Sequence, residues 1–294
     1  MIRQRLLTIR AKKVILATGA LERPMVFNNN DRPGIMLSSA IKKYSDFYGV
    51  ACGKKIIFFT NNDSAYESAL SLNDKGIKVE AIVDIRKQSE TNLEKRVIDA
   101  GIKIYWEHTV VDTSGYKRLN NVSIMKLSND GTSVTGNKIS ISCDCLGVAG
   151  GWTPAVHLYT QSGSKLAFDE DKKIFIPNKN NSDQISVGSC CGDFKLDEIF
   201  KNLNEKLKDF LDINKTDFEN ITVNNNQEIS KRNIWLLPSD KALGKTKPFV
   251  DYQNESRPSS SRSRSVTGGP VGGRESHSYL NASRRIESHA STGL

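Results

Sequence analysis

The chain has 294 residues, room for one large domain or two ordinary ones, and its 37% hydrophobic and 26% charged content describes a globular protein. No run of roughly 18 apolar residues occurs, and the basic opening MIRQRLLTIR lacks the apolar centre of a secretory signal, so a cytoplasmic protein that does not engage a membrane is expected. The net charge of +9 is interleaved Lys with Asp and Glu except in a separate basic tail, a solvated surface rather than a phosphate-tracking groove, so nucleic acid is not an expected partner.

Residues 4–10, QRLLTIR, read as a short strand leading into Val14-Ile15-Leu16, an apolar run that suits a buried strand of a parallel sheet. Ala17, Thr18 and Gly19 end that run with small residues, which let backbone approach a ligand closely. After Asp31-Arg32-Pro33-Gly34, Ser38 is placed to cap a helix over 39–48, with Ile41, Tyr44, Phe47 and Tyr48 along one face. Lys54 to Thr60 is the strongest strand signal. A helix over 65–75 and a second strand over 77–85 make it a right-handed βαβ unit. Its turn, Asn61-Asn62-Asp63-Ser64, stands where a glycine-rich phosphate loop would stand, and no GxGxxG occurs anywhere in the chain. Asn and Asp can cap the helix themselves, and Asp63 would repel a phosphate. The reading is a nucleotide-domain fold without a tightly held nucleotide at this turn.

A helix over 92–100 and a strand over 102–106 follow. Antiparallel strands around 110–111, 122–127 and 139–142 come next, with turn chemistry at Asn129-Asp130-Gly131. His108 reads as a surface residue at a strand end. The five cysteines (52, 143, 145, 190 and 191) include no CxxC. A strand would turn the thiols of Cys143 and Cys145 to one face, but without a second pair or a nearby His they read as reduced, partly buried thiols and not as a metal site. Within Cys143 to Pro154 a short apolar strand is expected that ends in Gly150 and Gly151, again permitting close backbone approach. His157, just inside a helix after Pro154, is explained by packing or capping. Ile185 to Asp193 is a strand and a small-residue turn. It precedes a helix over 195–210 whose free N–H groups and positive dipole end could face a phosphate. Residues 212–227 read as an asparagine-rich linker. Residues 255–294 hold eleven Ser and six Arg but no Lys, and the expectation is disorder. A compositional switch that sharp suggests a frame shift or joined foreign sequence; an RNA-associated or phosphorylated segment is the other reading.

Three strings, RAKKVILATGALERPMVF…NDRPGIML, GGWTPAVHLYTQSGSKLAFD and KPFVDYQN, together resemble the alpha subunit of heterotetrameric sarcosine oxidase across roughly residues 10–254. The resemblance implies an α/β protein of the FAD/NAD(P)-binding class with two dinucleotide-type domains, here incomplete, with parallel sheets and a β-meander. It lacks the opening GxGxxG unit and the terminal folate-binding domain. On that reading 1–50 and 144–212 form part of the first nucleotide-binding domain, 51–143 an inserted nucleotide-type subdomain, and 213–254 a linker and the start of the next region.

The resemblance further implies an oxidoreductase complex that oxidatively demethylates sarcosine to glycine and passes the one-carbon unit to tetrahydrofolate. In it the alpha subunit carries NAD, the beta subunit FAD, with FMN between them, and gamma and delta subunits complete the assembly. Substrate oxidation falls mainly to the beta subunit, so no catalytic residue is expected here, and the isolated fragment should be inactive. What these residues would do is place a cofactor, through backbone amides, small side chains and helix termini. The candidates are Ala17, Thr18, Gly19, Gly150, Gly151, Gly188 and Gly192. Gly188 and Gly192, with Cys191 and Leu196, are carried over from the family's NAD segment. A subunit of a related opine or amino-acid dehydrogenase, or a non-catalytic assembly subunit, is the alternative.

Overall fold

A computed structural model describes residues 5–179, 183–211, 233–242 and 245–250. Its centre is a five-stranded parallel sheet of order β3-β10-β4-β5-β6, built from β3 (Ile35–Leu37), β4 (Ile56–Thr60), β5 (Val79–Asp84), β6 (Lys103–Trp106) and β10 (Cys145–Ala149). All five residues of β4 are buried, and its side chains alternate between two cores. Ile56 and Phe58 face the layer of α1 (Ser38–Tyr48), α2 (Ser64–Asn73) and α3 (Asn92–Asp99). Ile57 and Phe59 face a three-stranded antiparallel meander of β7 (His108–Ser114), β8 (Asn121–Leu127) and β9 (Val134–Ser142). A continuous apolar run is what a strand covered on both sides requires.

The βαβ unit and the meander expected from the sequence are present, with longer meander strands. The boundaries differ. β3 and β10 hydrogen-bond into this sheet, whereas the sequence reading left both outside 51–143. β10 lies between β3 and β4, with Leu146 and Val148 in one core and Cys145 and Ala149 in the other. Gly147 is required there, since a Cβ would stand 2.6 Å from the Phe58 ring. The same geometry corrects the shared face expected of Cys143 and Cys145. Cys143 precedes the strand, joins the meander-side core, and parts from Cys145 on the helix side.

The second part of the molecule is smaller. β1 (Val14–Leu16) pairs in parallel with β14 (Gln184–Ser186), Leu16 opposite Ser186. α5 (Leu196–Leu211) lies on β14 through Phe210, Leu203, Leu207 and Leu211. Two chain crossings join it to the large sheet as an antiparallel ladder of β2 (Ala20–Glu22) and β11 (Trp152–Pro154). The short α4 (His157–Gln161) and a hairpin of β12 (Leu166–Asp169) and β13 (Ile174–Pro177) follow. Trp235 packs back under the Arg23 guanidinium, 4.1 Å from its ring centre, and Val26 pairs with Leu236.

Three local expectations fail for physical reasons. Residues 5–10 form no strand, because no described segment pairs with them, and Leu6, Leu7 and Ile9 are exposed. Ser38 does not cap α1. It is the first helical residue, and the Glu22 carboxylate accepts from the Ser39 N–H at 2.8 Å instead. Of the supposed apolar face of α1 only Ile41 is buried; Tyr44, Phe47 and Tyr48 are exposed and pack on one another. The linker over 212–227 and the tail over 255–294 lie outside the described residues. No helix among the described residues is long and apolar enough to cross a membrane.

Candidate functional site: two nucleotide-type turns

Each parallel sheet ends in a strand-to-helix turn of the kind that holds a dinucleotide phosphate, and the two turns are built differently. At the large sheet, β4 runs through Asn61-Asn62-Asp63 into α2. Asn62 Oδ1 accepts from the Ser64 N–H at 3.0 Å and its hydroxyl at 2.6 Å, so the helix end is capped from within. The Asn61 and Asn62 side-chain amides donate across to Gly150 O and Ala149 O, at 3.2 and 3.1 Å.

Beside this cap the Arg86 guanidinium binds Asp63 and Asp84, each at 2.7 Å, and the Tyr66 hydroxyl donates to Asp84 at 2.8 Å. Burial works against the Arg86 charge, but the two carboxylates outweigh it and hold the guanidinium protonated more firmly than usual. Burial, reinforced by the Asp84 charge, pushes the Tyr66 hydroxyl up. Burial also raises the Asp63 carboxyl despite its pairing with Arg86. The Asn62 and Ser64 N–H groups are taken up by Thr60 Oγ1 and Asn62 Oδ1, and a carboxylate stands at the turn. These residues do not fit a dinucleotide.

At the small sheet the turns are open. Ala17, Thr18 and Gly19 follow β1, and Gly188, Cys191 and Gly192 follow β14, at adjacent carboxyl ends of paired parallel strands. Val187 N–H donates to Leu16 O at 2.9 Å and continues the pairing toward the turns. Gly19 has φ +74, and a Cβ there would touch nothing within 4 Å. Gly188 begins a 3-10 turn, Gly188–Cys191, with φ +76, and Gly192 ends it with φ +82. Both conformations favour glycine. Thr18 Oγ1 donates to Ala155 O at 2.6 Å, and Ala155 N–H donates to Gly19 O at 2.9 Å. Leu196, the first residue of α5, is half exposed beyond this mouth.

Gly150 and Gly151 are not part of that group. They lie at the other end of the β2/β11 ladder, where Trp152 pairs with Glu22; the end near Gly19 pairs Pro154 with Ala20. A Cβ on Gly150 would stand 2.7 Å from Arg23 O and 2.8 Å from Pro24 O, so its glycine serves the chain crossing. Its carbonyl also accepts from the Trp235 indole.

Sequence reasoning passed over the crossing. Buried Glu22 has its carboxyl pushed up to about 6 by burial, with the Ser39 hydrogen bond opposing, and Arg23 is pulled down to about 10 by burial. The string LERP carried a buried acid and base side by side, and their polarity pointed to a surface turn. His108 Nδ1 lies 2.7 Å from Trp106 O at the start of the meander. The five cysteines are free thiols, and no cluster of metal-ligating side chains occurs among the described residues.

No family model matches the chain. Among curated proteins it is 35% identical to the sarcosine oxidase subunit alpha of Corynebacterium sp. (strain P-1) over 262 residues, 86% of this chain and 26% of that protein. It is 31% identical to the subunit of the same name from Rhizobium meliloti (strain 1021), over 86% of this chain and 24% of that one. The chain is homologous to a segment of the sarcosine oxidase alpha subunit. It spans about a quarter of the length of these curated relatives.

Among solved structures, Lactococcus lactis thioredoxin reductase superposes with a TM-score of 0.51 at 18% identity, over 69% of this chain and 67% of that one. A FAD-dependent pyridine nucleotide-disulphide oxidoreductase from Desulfovibrio vulgaris superposes at 0.50 and 16% identity, over 71% and 56%. At such identities the likeness is one of fold: the chain has the FAD/NAD(P)-binding α/β architecture.

Proposed function

We propose that this chain is the cofactor-placing segment of a sarcosine oxidase-type subunit, and that its dinucleotide site lies at the open turns of the small sheet. The observation that carries this is the juxtaposition of Gly19 with the Gly188–Gly192 turn at adjacent ends of β1 and β14. The large sheet serves as a scaffold, because its own turn is capped by Asn62 and crossed by the Asp63–Arg86 pair. NAD is the dinucleotide this reading assigns to the open turns. Gly188, with no side chain nearer than Ile199 at 3.9 Å from a Cβ there, keeps backbone at the mouth accessible, and α5 points its positive end toward it. FAD and FMN would belong to the assembled complex, with its beta, gamma and delta subunits.

Bound NAD would supply dinucleotide chemistry, while this chain's residues bind and orient it. Sarcosine and tetrahydrofolate would be handled by the whole complex, and no residue here acts as the catalytic base. Exposed Val14 and Ile15 on β1, with Leu6, Leu7 and Ile9 before it, support a module whose apolar surface is covered in a larger assembly.

Saturation-transfer NMR with NAD tests the site. The chain alone, offering one side of a cradle, is expected to show weak contact that disappears in Gly188→Val, while Gly151→Val leaves it intact. Contact insensitive to Gly188→Val would overturn the assignment, and micromolar NAD binding by calorimetry would overturn the expected weakness of the chain alone.

A further inference from the structure

We propose that the crevice between α1 and α2 receives an arginine side chain of a partner polypeptide, with the free oxygen of Glu22 as acceptor and the exposed aromatic ridge of α1 as collar. Glu22 is 7% exposed, and its two carboxylate oxygens are in different conditions. Oε2 accepts from the Ser39 N–H at 2.8 Å, while Oε1 is buried and has no partner. Glu22 lines an open crevice of about 400 Å³, together with Ser39 and Phe47 of α1, Ser64 and Ser68 of α2, and Trp152 of β11.

A carboxylate taken out of water needs a cation or further donors, and the described residues supply neither to Oε1. Arg23, next in sequence, turns away to Thr153 Oγ1 and over the Trp235 ring. Lys42 and Lys43 stand on the crevice wall and make no hydrogen bond with that oxygen. The Ser64 hydroxyl donates to Asn62 Oδ1 and the Ser68 hydroxyl to Ser64 O, so both have lone pairs left and no proton to give. Burial holds the Glu22 carboxyl up at about 6, which still leaves it mostly charged at neutral pH.

Acceptors beside an aromatic wall suit a ligand that is cationic, flat and rich in donors. A guanidinium carries its N–H groups in one plane and stacks on an indole. The same pairing occurs inside this molecule, where the Arg23 guanidinium lies 4.1 Å from the Trp235 ring centre. An anion would meet the Glu22 charge. A metal ion would find no cluster of ligating side chains among the described residues.

The ridge is what points to a polypeptide. Tyr44, Phe47 and Tyr48 are exposed and in ring contact along α1, and Phe47 belongs to both the ridge and the crevice. A free cation would leave that ridge bare. An arginine anchor inside an apolar collar covers both, and this is the make-up of a protein interface centre. The docking site uses α1 and α2 of the large sheet and does not rest on the dinucleotide reading.

NMR titration with the tripeptide leucyl-arginyl-leucine, blocked at both ends, tests the site. At neutral pH the Trp152 indole N–H and the Ser39 amide N–H should shift and saturate in the millimolar range. Glu22→Gln keeps an oxygen for Ser39 but turns an amide NH2 to the crevice, and should weaken the contact about tenfold. Phe47→Ala, at an exposed position, should weaken it severalfold. The lysyl peptide should bind less tightly, and the uncharged citrullyl peptide should leave both signals in place. Absence of the two shifts, their persistence in Glu22→Gln, or equal binding of the lysyl or citrullyl peptide would overturn the proposal. The same shifts on concentrating the chain without peptide would give the crevice to a second copy of this chain and also overturn it.

Discussion

The two sheets of this molecule carry the same kind of strand-to-turn-to-helix unit in opposite conditions. In the large sheet every residue of β4 is buried, and the turn after it is closed by side chains. In the small sheet Val14 and Ile15 of β1 are 39% and 43% exposed, and in the turns after the two strands a Cβ at Gly19 would meet nothing within 4 Å and one at Gly188 only Ile199 at 3.9 Å. On the proposed reading, stability is concentrated where the cradle is filled, and binding capacity where it is open. A turn whose Ser64 N–H is taken by Asn62 and whose mouth carries the Asp63 carboxylate is a poor anion receptor.

The sharpest way to break this contrast is to remove the filling of the large sheet. Arg86→Ala leaves buried Asp84 and half-buried Asp63 without their cation, and a loss of about 3–5 kcal/mol is expected in urea unfolding. A loss below about 1 kcal/mol would mean that the closed turn does not anchor the scaffold.

The glycines provide the next test. Gly150→Ala puts a Cβ against the Arg23 and Pro24 carbonyls and should cost about 1–3 kcal/mol through overpacking. Gly19→Ala meets open space and only the strain of φ +74, about 1 kcal/mol. Thermal unfolding that ranks Gly19→Ala as the more damaging would reverse the roles given to the two positions.

The last test lies at the crossing between the sheets. The Glu22 carboxyl is raised from 4.5 to about 6, so the folded state holds its proton more tightly than the unfolded chain. Its contribution to stability is undiminished below the unfolded value, falls as pH rises through about 6, and stays low above that. Glu22→Gln keeps an oxygen for the Ser39 N–H and should stabilise the chain at pH 7.5 by up to about 2 kcal/mol. That gain should vanish near pH 4. A gain independent of pH would show that the carboxyl is not the source.

Much of this was legible along the chain because local burial leaves a local trace. The runs IIFFT and CLGVA are continuous apolar strings, as strands covered on both faces must be, and Asn61-Asn62-Asp63 announced a turn that caps itself. The hairpin of β12 and β13 was equally legible in LAFD and IFIP around a charged turn, and it was passed over. Glu22 and Arg23 were not legible. Charged residues beside a proline read as surface, and only the β2/β11 ladder with Trp235 buries them.

By itself the sequence determined the strands, the helices and the two sets of small-residue turns, since periodicity and turn chemistry depend on near neighbours. Only the tertiary structure decided which strands lie side by side. It set Leu16 against Ser186 across 170 residues of chain, placed β10 between β3 and β4, sent Cys143 and Cys145 into different cores, and separated Gly150 from Gly19. Each of those outcomes depends on which distant surface removes the most apolar area from water, a quantity that no single stretch of residues contains.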